Sequence, residues 1–293
     1  MDSLFLDSEF LKKLEYLAFL SKRIRKGSMR GEHFTYKKGS SLEFRDHRSY
    51  NAGDDFRYID WNVYSRLRRL FVKLFAAEED LTINILVDTS SSMADGKSEK
   101  LTYAKKLAAA LGYIGLSNLE RVGLVSFHSR IGISLPAIRR KNQSFSMFDF
   151  LSNLEADGTT EINRVLLNFA AKSKRPGLMI IISDFMDPDG MKEGILSLIY
   201  SKFDIVLLHV LSEEEISPAI TGNSRLTDSE TGIVEPINID KHILGIYQKE
   251  MRKYLQELED FSLQHGLEYM RTSTSIPFDE VILKYLRQGL HLH

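Results

Sequence analysis

The sequence predicts an α/β protein built on a doubly wound, mostly parallel sheet, with an N-terminal helix and a small β-rich appendage. Three observations lead there. From residue 81 onward, short runs dense in Val, Ile and Leu alternate with longer stretches of helical periodicity. Near-continuous apolar strands are covered on both faces, the condition of a parallel sheet flanked by helices. One of those runs leads directly into Asp88 and another, after Ser183, into Asp184, at the strand ends where doubly wound sheets hold their ligands. The length of 293 residues, with 43% hydrophobic and 27% charged, suits one large domain with an appendage or two smaller domains.

Residues 4–26 place Leu6, Phe10, Leu14, Leu17 and Ile24 at three- and four-residue steps, which predicts an amphipathic helix stopping near Gly27. The densest basic run, Lys22-Arg23-Ile24-Arg25-Lys26, falls at the end of that helix, where cations favour the negative pole of the dipole. It reads as a solvated helix end. From Gly31 to about Phe75 short aromatic alternations such as His33-Phe34-Thr35-Tyr36 and Leu70-Phe71-Val72-Lys73-Leu74-Phe75 are separated by Gly39-Ser40 and Asn51-Ala52-Gly53-Asp54, which are turn formers. The chain therefore divides into residues 1–77, helix plus β-rich region, and residues 78–293, the α/β domain. In the latter, strands are expected at Leu81–Val87, Val122–Phe127, Leu178–Ile182, Ile205–Val210 and Leu267–Arg271. Helices are expected at 98–118, 143–154, 161–173, near 189–201, 240–265 and 277–290. The stretch 213–239, with Gly222-Asn223-Ser224 and Asp228-Ser229-Glu230-Thr231-Gly232, reads as an inserted hairpin.

Composition removes several function classes. Lys and Arg (39) nearly cancel Asp and Glu (40), so no net field recruits nucleic acid or an anionic membrane. With no cysteine there is no disulfide, thiolate metal site or thiol nucleophile, and oxygen and imidazole ligands remain. The N-terminus is acidic and lacks a basic region before a long apolar core, and no segment approaches the ~20 apolar residues that span a bilayer. The expectation is a cytoplasmic protein without a membrane span. His47, His128 and His209 have no spacing that suggests a ligand set and are expected to be structural.

The strand Leu81–Val87 runs into Asp88-Thr89-Ser90-Ser91-Ser92 and then into a helix. One carboxylate and two hydroxyls around a single turn are hard oxygen ligands suited to Mg²⁺ or Mn²⁺, too few to enclose the ion. Asp and Ser also cap helices, so this turn alone does not separate a metal site from an N-cap. Two further loops add to it: Gly158-Thr159-Thr160-Glu161-Ile162 opens a helix, and Leu178-Met179-Ile180-Ile181-Ile182-Ser183-Asp184 again ends an apolar strand in an acid.

Asp-x-Ser-x-Ser, a Gly-x-Thr helix start and an Asp after an apolar strand together resemble the metal-ion-dependent adhesion site of von Willebrand A and integrin I domains. The resemblance implies a von Willebrand A-like, Rossmann-type fold. It implies that Ser90, Ser92 and Thr160 approach the ion directly or through water, while Asp88 and Asp184 act mostly through water. Thr159 is an alternative to Thr160; Thr160 is preferred because Ile162 and Leu166 then fall on the apolar positions that follow the family's threonine. Phe185 departs from the pattern, since the family often has glycine after the last aspartate, and this leaves the loop shape open. The segment from Glu43 to Trp61, continuing through Arg66 and the Leu70-to-Phe75 strand, and the Leu226-x-Asp228-x-Glu230-Thr231-Gly232 hairpin resemble the bacterial family called domain of unknown function 58. Members are commonly encoded beside a MoxR-type AAA+ ATPase, and the resemblance implies such a partner. Within that signature Arg45, Asp46, Arg48, Asp54, Asp55, Arg57, Asp60 and Trp61 form either a buried salt-bridged cluster or a partner surface.

The function expected is a metal-dependent protein–protein interaction module, not an enzyme, working with the ATPase in assembly or maturation of another protein or complex. Its ion takes an Asp or Glu carboxylate of the partner. The alternative is a metal-dependent hydrolase or phosphoryl-transfer enzyme, which ranks lower because no G-x-x-x-x-G-K-[ST] loop and no G-x-S-x-G elbow is present.

Overall fold

The computed structural model describes residue 5 and residues 7–28, 43–76, 81–94, 99–173, 175–187, 189–219, 222–228 and 232–287. The chain divides into two compact units, Met1–Gly27 with Leu81–His293, and Ser28–Asp80. Helix α1 (Ser8–Ser28) opens the larger unit. Its apolar stripe buries Phe10, Leu14 and Leu17 in the same core as the α/β elements. A boundary at residue 77 groups this helix with the β-rich region; the helix belongs instead with the α/β unit, because its stripe finds its apolar partners there.

The smaller unit holds β1 (Glu43–Ser49), α2 (Trp61–Leu67) and β2 (Phe71–Ala76), with β1 and β2 antiparallel. It is less β-rich than its aromatic alternations suggest, since Trp61–Leu67 is helical. Asp60 starts that helix: its carboxylate accepts from the backbone N–H of Asn62 and Val63, and Oδ2 lies 2.9 Å from His47 Nε2. That bond to His47 holds Asp60 down at about 2, with the backbone donors and Lys73 adding to it against the opposing effect of burial. The expected turn at 51–54 is present, and His33-Phe34-Thr35-Tyr36 lies outside the described residues.

The larger unit continues with β3 (Thr82–Asp88), α3 (Lys100–Ser117), β4 (Arg121–Phe127), β5 (Ile131–Ile138), α4 (Ser144–Ser152), α5 (Ile162–Lys172) and β6 (Leu178–Ser183). There follow α6 (Lys192–Tyr200), β7 (Asp204–Leu211), α7 (Glu213–Ile216), β8 (Gly222–Thr227), β9 (Val234–Ile239), α8 (Lys241–Gln264), β10 (Glu268–Ser273) and α9 (Phe278–Arg287). Six strands form one sheet in the order β10-β7-β6-β3-β4-β5, parallel except for β5, and β8 and β9 pair antiparallel as the inserted hairpin. Strand alternation feeds two cores. Ile83, Ile85 and Val87 of β3 pack with α1, α3, α4 and α9, while Leu86 packs with α5, α6 and α8. Helix α3 carries apolar residues around its circumference and is buried along nearly its whole length.

Strand β5 is not announced by the apolar alternation. It is a largely exposed edge strand that includes Gly132 and Pro136, residues that strands admit mainly at edges. After β3 the chain moves to β4 on one side, then returns to β6 on the other. The order therefore reverses between β3 and β6, and the crevice beyond their carboxyl ends is where such sheets hold ligands. Among the described residues no helix is long and apolar enough to cross a membrane.

The close β3–β6 approach yields a paired test. A Cβ on Gly177 would sit 2.3 Å from the Thr82 carbonyl oxygen, a backbone atom that cannot step aside. Gly177→Ala is expected to lower the unfolding free energy by about 1–3 kcal/mol. Gly245→Ala, on α8 with open space around it, should raise it by roughly 0.5–1 kcal/mol. Urea denaturation of both variants checks the opposite signs.

Candidate metal centre

Strand β3 is apolar from Ile85 to Val87 and delivers Asp88, fully buried, to the switch point. Asp88 Oδ1 accepts from Ser90 N–H at 2.9 Å, which folds the chain back on itself immediately after the strand. The Ser90 and Ser92 hydroxyl oxygens then stand 3.0 Å apart. Strand β6 lies alongside in parallel register, with Val87 opposite Ile182. Its last residue, Ser183, donates from Oγ to Asp88 Oδ2 at 2.5 Å, and Asp184 follows, also fully buried.

The third expected segment is stitched to the first by backbone. Asp157 N–H donates to Thr89 O at 2.8 Å and Ser91 N–H to Gly158 O at 2.9 Å. Gly158 has a φ of +79°, and a side chain there would meet the His128 ring at 3.0 Å, so glycine serves both the turn and the approach. Thr160 is buried and Thr159 exposed, which favours Thr160 as the inward residue. The structure thus bonds Asp88 to Ser90 and Ser90 to Ser92, sets Asp184 next to the Ser183 that bonds Asp88, and brings in Thr160 through its loop.

Two residues that the motif does not name hold the arrangement. Asp187 Oδ2 accepts from Ile162 N–H at 2.6 Å, tying the loop after β6 to the start of α5 beside Thr160. Lys100, the first residue of α3, is 1% exposed and donates to Asp184 Oδ2 at 2.7 Å and to Glu215 Oε1 at 2.5 Å. A signal for Lys100 exists in the sequence: a cation in the first turn of a helix faces the positive end of the dipole and needs a compensating partner. For Asp187 the signal is an acid three residues beyond Asp184 in a short loop before a helix.

The electrostatics are those of two carboxylates sharing a dry place. Burial and then the negative charge of Asp184 push Asp88 up to about 7, against the bonds from Ser183 and Ser90. Asp184 accepts from Met186 N–H on Oδ1 and from Lys100 on Oδ2. Burial pulls the Lys100 ammonium down, but Asp184 and Glu215 override it and hold Lys100 above the usual lysine range.

Phe185 answers the question its departure from glycine raises. It adopts a φ of +53°, in the left-handed region, at a cost of about 1–2 kcal/mol for a residue with a side chain. Three contacts hold it there: its N–H donates to Ser183 Oγ, its carbonyl accepts from Tyr254 Oη, and its ring stands edge-on to His209 at 5.4 Å. The loop keeps a glycine-like path with phenylalanine in it. His209 is fully buried, with Nδ1 2.8 Å from Tyr269 Oη, and burial lowers it to about 4. Its ring packs against Phe185, Tyr254 and Tyr269, in keeping with the structural role expected of it.

The residues fit a small divalent cation. The Ser90 and Ser92 hydroxyls are hydrogen-bonded to each other at 3.0 Å, which is also about the separation of neighbouring octahedral ligands around an ion with oxygens near 2.1 Å. Among the described residues no cluster of three or more His, Cys, Asp or Glu could hold a metal; this set rests on hydroxyls and two acids. The charged signature of the smaller unit divides. Asp60 is buried, whereas Arg48 pairs bidentately with Asp54 and Arg57 with Asp55 at the surface, and Trp61 is 59% exposed.

The chain belongs to the family described as protein of unknown function DUF58, which matches residues 46–257. An uncharacterized protein of Mycobacterium tuberculosis and one of Mycobacterium bovis are each 25% identical over 239 residues, covering 80% of this chain and 75% of theirs. Among solved structures, BatB from Bacteroides thetaiotaomicron is 15% identical with a TM-score of 0.45, covering 72% of this chain and 98% of its own. An aerotolerance-related membrane protein from Bacteroides fragilis is 18% identical with a TM-score of 0.46, covering 71% and 99%.

The raised Asp88 makes a prediction with a definite sign. Its carboxyl binds a proton more readily folded than unfolded, so its contribution favours folding at low pH and is lost as pH rises through about 7. In chelator, Asp88→Asn should therefore gain stability relative to the parent as pH rises from 4 to 8, by up to about 1.4 kcal/mol per pH unit. Melting curves across that range test it; a difference that stays constant with pH would refute the buried carboxylate pair.

Proposed function

We propose that this member of the DUF58 family is a metal-dependent protein–protein interaction module with a von Willebrand A-like site for Mg²⁺ or Mn²⁺ at Asp88, Ser90, Ser92, Thr160 and Asp184. The observation that carries the reading is the pair of buried acids at the switch point, set beside two hydroxyls at the spacing of adjacent octahedral ligands. A divalent cation in such a site supplies an electrophilic acceptor for an oxygen ligand brought by another molecule. The chain's own part is to orient and to exclude water. Ser90 and Ser92 present neutral oxygens, which leave positive charge unquenched. Asp88 has both oxygens engaged by Ser90 and Ser183, and Asp184 has both engaged by Met186 and Lys100, so each acts at one remove, through charge and through water. A carboxylate from a partner is then favoured both as a ligand and as a countercharge.

The partner proposed is a protein that offers an Asp or Glu, with a MoxR-type AAA+ ATPase or its client as the leading candidate and assembly or maturation of a complex as the setting. His209, one of two histidines adjoining the site, is neutral near pH 7 and fully buried, which makes it a poor proton donor for a hydrolase.

Asp88→Ala with Ser90→Ala removes one acid and one hydroxyl at the strand end. Co-purification of the ATPase with parent and double variant, each in Mg²⁺ and in EDTA, is expected to succeed only for the parent in Mg²⁺, with circular dichroism unchanged. Equal recovery in all four conditions would show that the ion has no part in this association.

A further inference from the structure

We infer that Lys100 is a built-in counter-cation of the carboxylate pair, that it opposes a divalent ion for the charge of Asp184, and that through Glu215 it ties the site's charge state to the inserted segment 213–239. This rests on the metal reading above and goes beyond it, since nothing in the ligand pattern calls for a lysine.

Helix energetics do not explain the residue. Lys100 begins an 18-residue helix whose preceding residue, Glu99, is left-handed and makes no side-chain cap bond. A cation there meets the positive end of the dipole, and at 1% exposure its ammonium is shielded from bulk solvent. Asp184 and Glu215, at 2.7 and 2.5 Å, are what make the position tolerable. Without the ammonium, two fully buried acids would face each other with hydroxyls and backbone N–H groups alone to offset them. A divalent ion held by Ser90 and Ser92 offers those acids the same compensation. The two cations then repel each other inside a poorly screened site, and each weakens the other's hold on Asp184.

Glu215 makes this more than a local balance. Its Oε1 takes Lys100, its Oε2 accepts from Ser212 N–H at 2.7 Å, and its carbonyl accepts from Tyr247 Oη at 2.7 Å. It closes the capping box of α7, the first turn of the inserted segment. When Lys100 is drawn away from Asp184, Glu215 is its remaining acid, so the start of the insertion sits at the other end of the same exchange.

Mn²⁺ calorimetry on the parent, Lys100→Met and Glu215→Gln tests this. Loss of the competing ammonium should tighten Mn²⁺ binding about tenfold or more in Lys100→Met. Glu215→Gln keeps Lys100 but leaves it Asp184 alone, so Mn²⁺ should bind more weakly than to the parent. A merely structural ion pair would weaken binding in both. Parent binding with Lys100→Met no tighter overturns this inference and leaves the metal reading standing. No binding by either parent or Lys100→Met overturns both, while binding by Lys100→Met alone supports the inference. If Lys100→Met folds only in Mn²⁺, the ion has replaced the ammonium and the inference holds. If it does not fold at all, Lys100→Gln, neutral but still able to hydrogen-bond both acids, decides: Mn²⁺ binding tighter than the parent's supports the inference, and equal or weaker binding overturns it.

Discussion

Two carboxylates brought out of water at the ends of adjacent parallel strands are the constraint around which the larger unit is arranged. The β3–β6 register sets Asp88 level with Ser183, one residue before Asp184, and burial removes the solvent that would screen the two acids. Every group near them answers that repulsion. Ser183 and the Ser90 N–H bond Asp88, Met186 N–H and Lys100 bond Asp184, and Asp88 still titrates far above an ordinary carboxyl. A fold does not collect such charge in its interior for packing, since apolar residues of similar volume are often as stable or more so. That buried charge sits at the switch point; the other buried positions of β3, β6 and β7 are mostly Val, Ile, Leu and Met, with Ser183 and His209 the polar ones, both next to the site.

Much of this is legible in the sequence. Apolar runs leading into Asp88 and Asp184 identify strands and strand ends together, because period and terminus are both local properties. The hydroxyl turn and the Gly158-to-Ile162 helix start are legible for the same reason. What escaped depends on long-range pairing. Strand β5 has no apolar signature because an edge strand exposes most of its residues. Lys100 is separated from Asp184 by 84 residues and from Glu215 by 115, and nothing in the helical pattern around it shows which acids it meets. Helix α1 reads correctly as amphipathic, but a stripe of Phe10, Leu14 and Leu17 states that it has a partner without stating which.

Phe185 shows a different limit. A glycine is readable in sequence because it permits a left-handed backbone, whereas a phenylalanine in the same conformation is readable only once its surroundings are known. Tyr254 from α8 and Ser183 from β6 fix the backbone on either side of the residue, and His209 packs against the ring. The strain is local and the restraint is not, so the departure from glycine makes the loop more dependent on the rest of the domain.

That dependence gives the loop after β6 its role. Within five residues, Ser183 holds Asp88 of β3, Asp184 holds Lys100 of α3, Phe185 is held by α8, and Asp187 holds the first N–H of α5. One short segment thus fastens three helices and a strand at the sheet's carboxyl edge. A change of charge at Asp184 cannot be absorbed by loop motion alone, because moving the loop breaks bonds to elements packed on both faces of the sheet. The softer exit is through Lys100, a single flexible side chain with a second acid within reach. Stiff attachment on most sides and one adaptable ion pair on the remaining one direct the response toward Glu215.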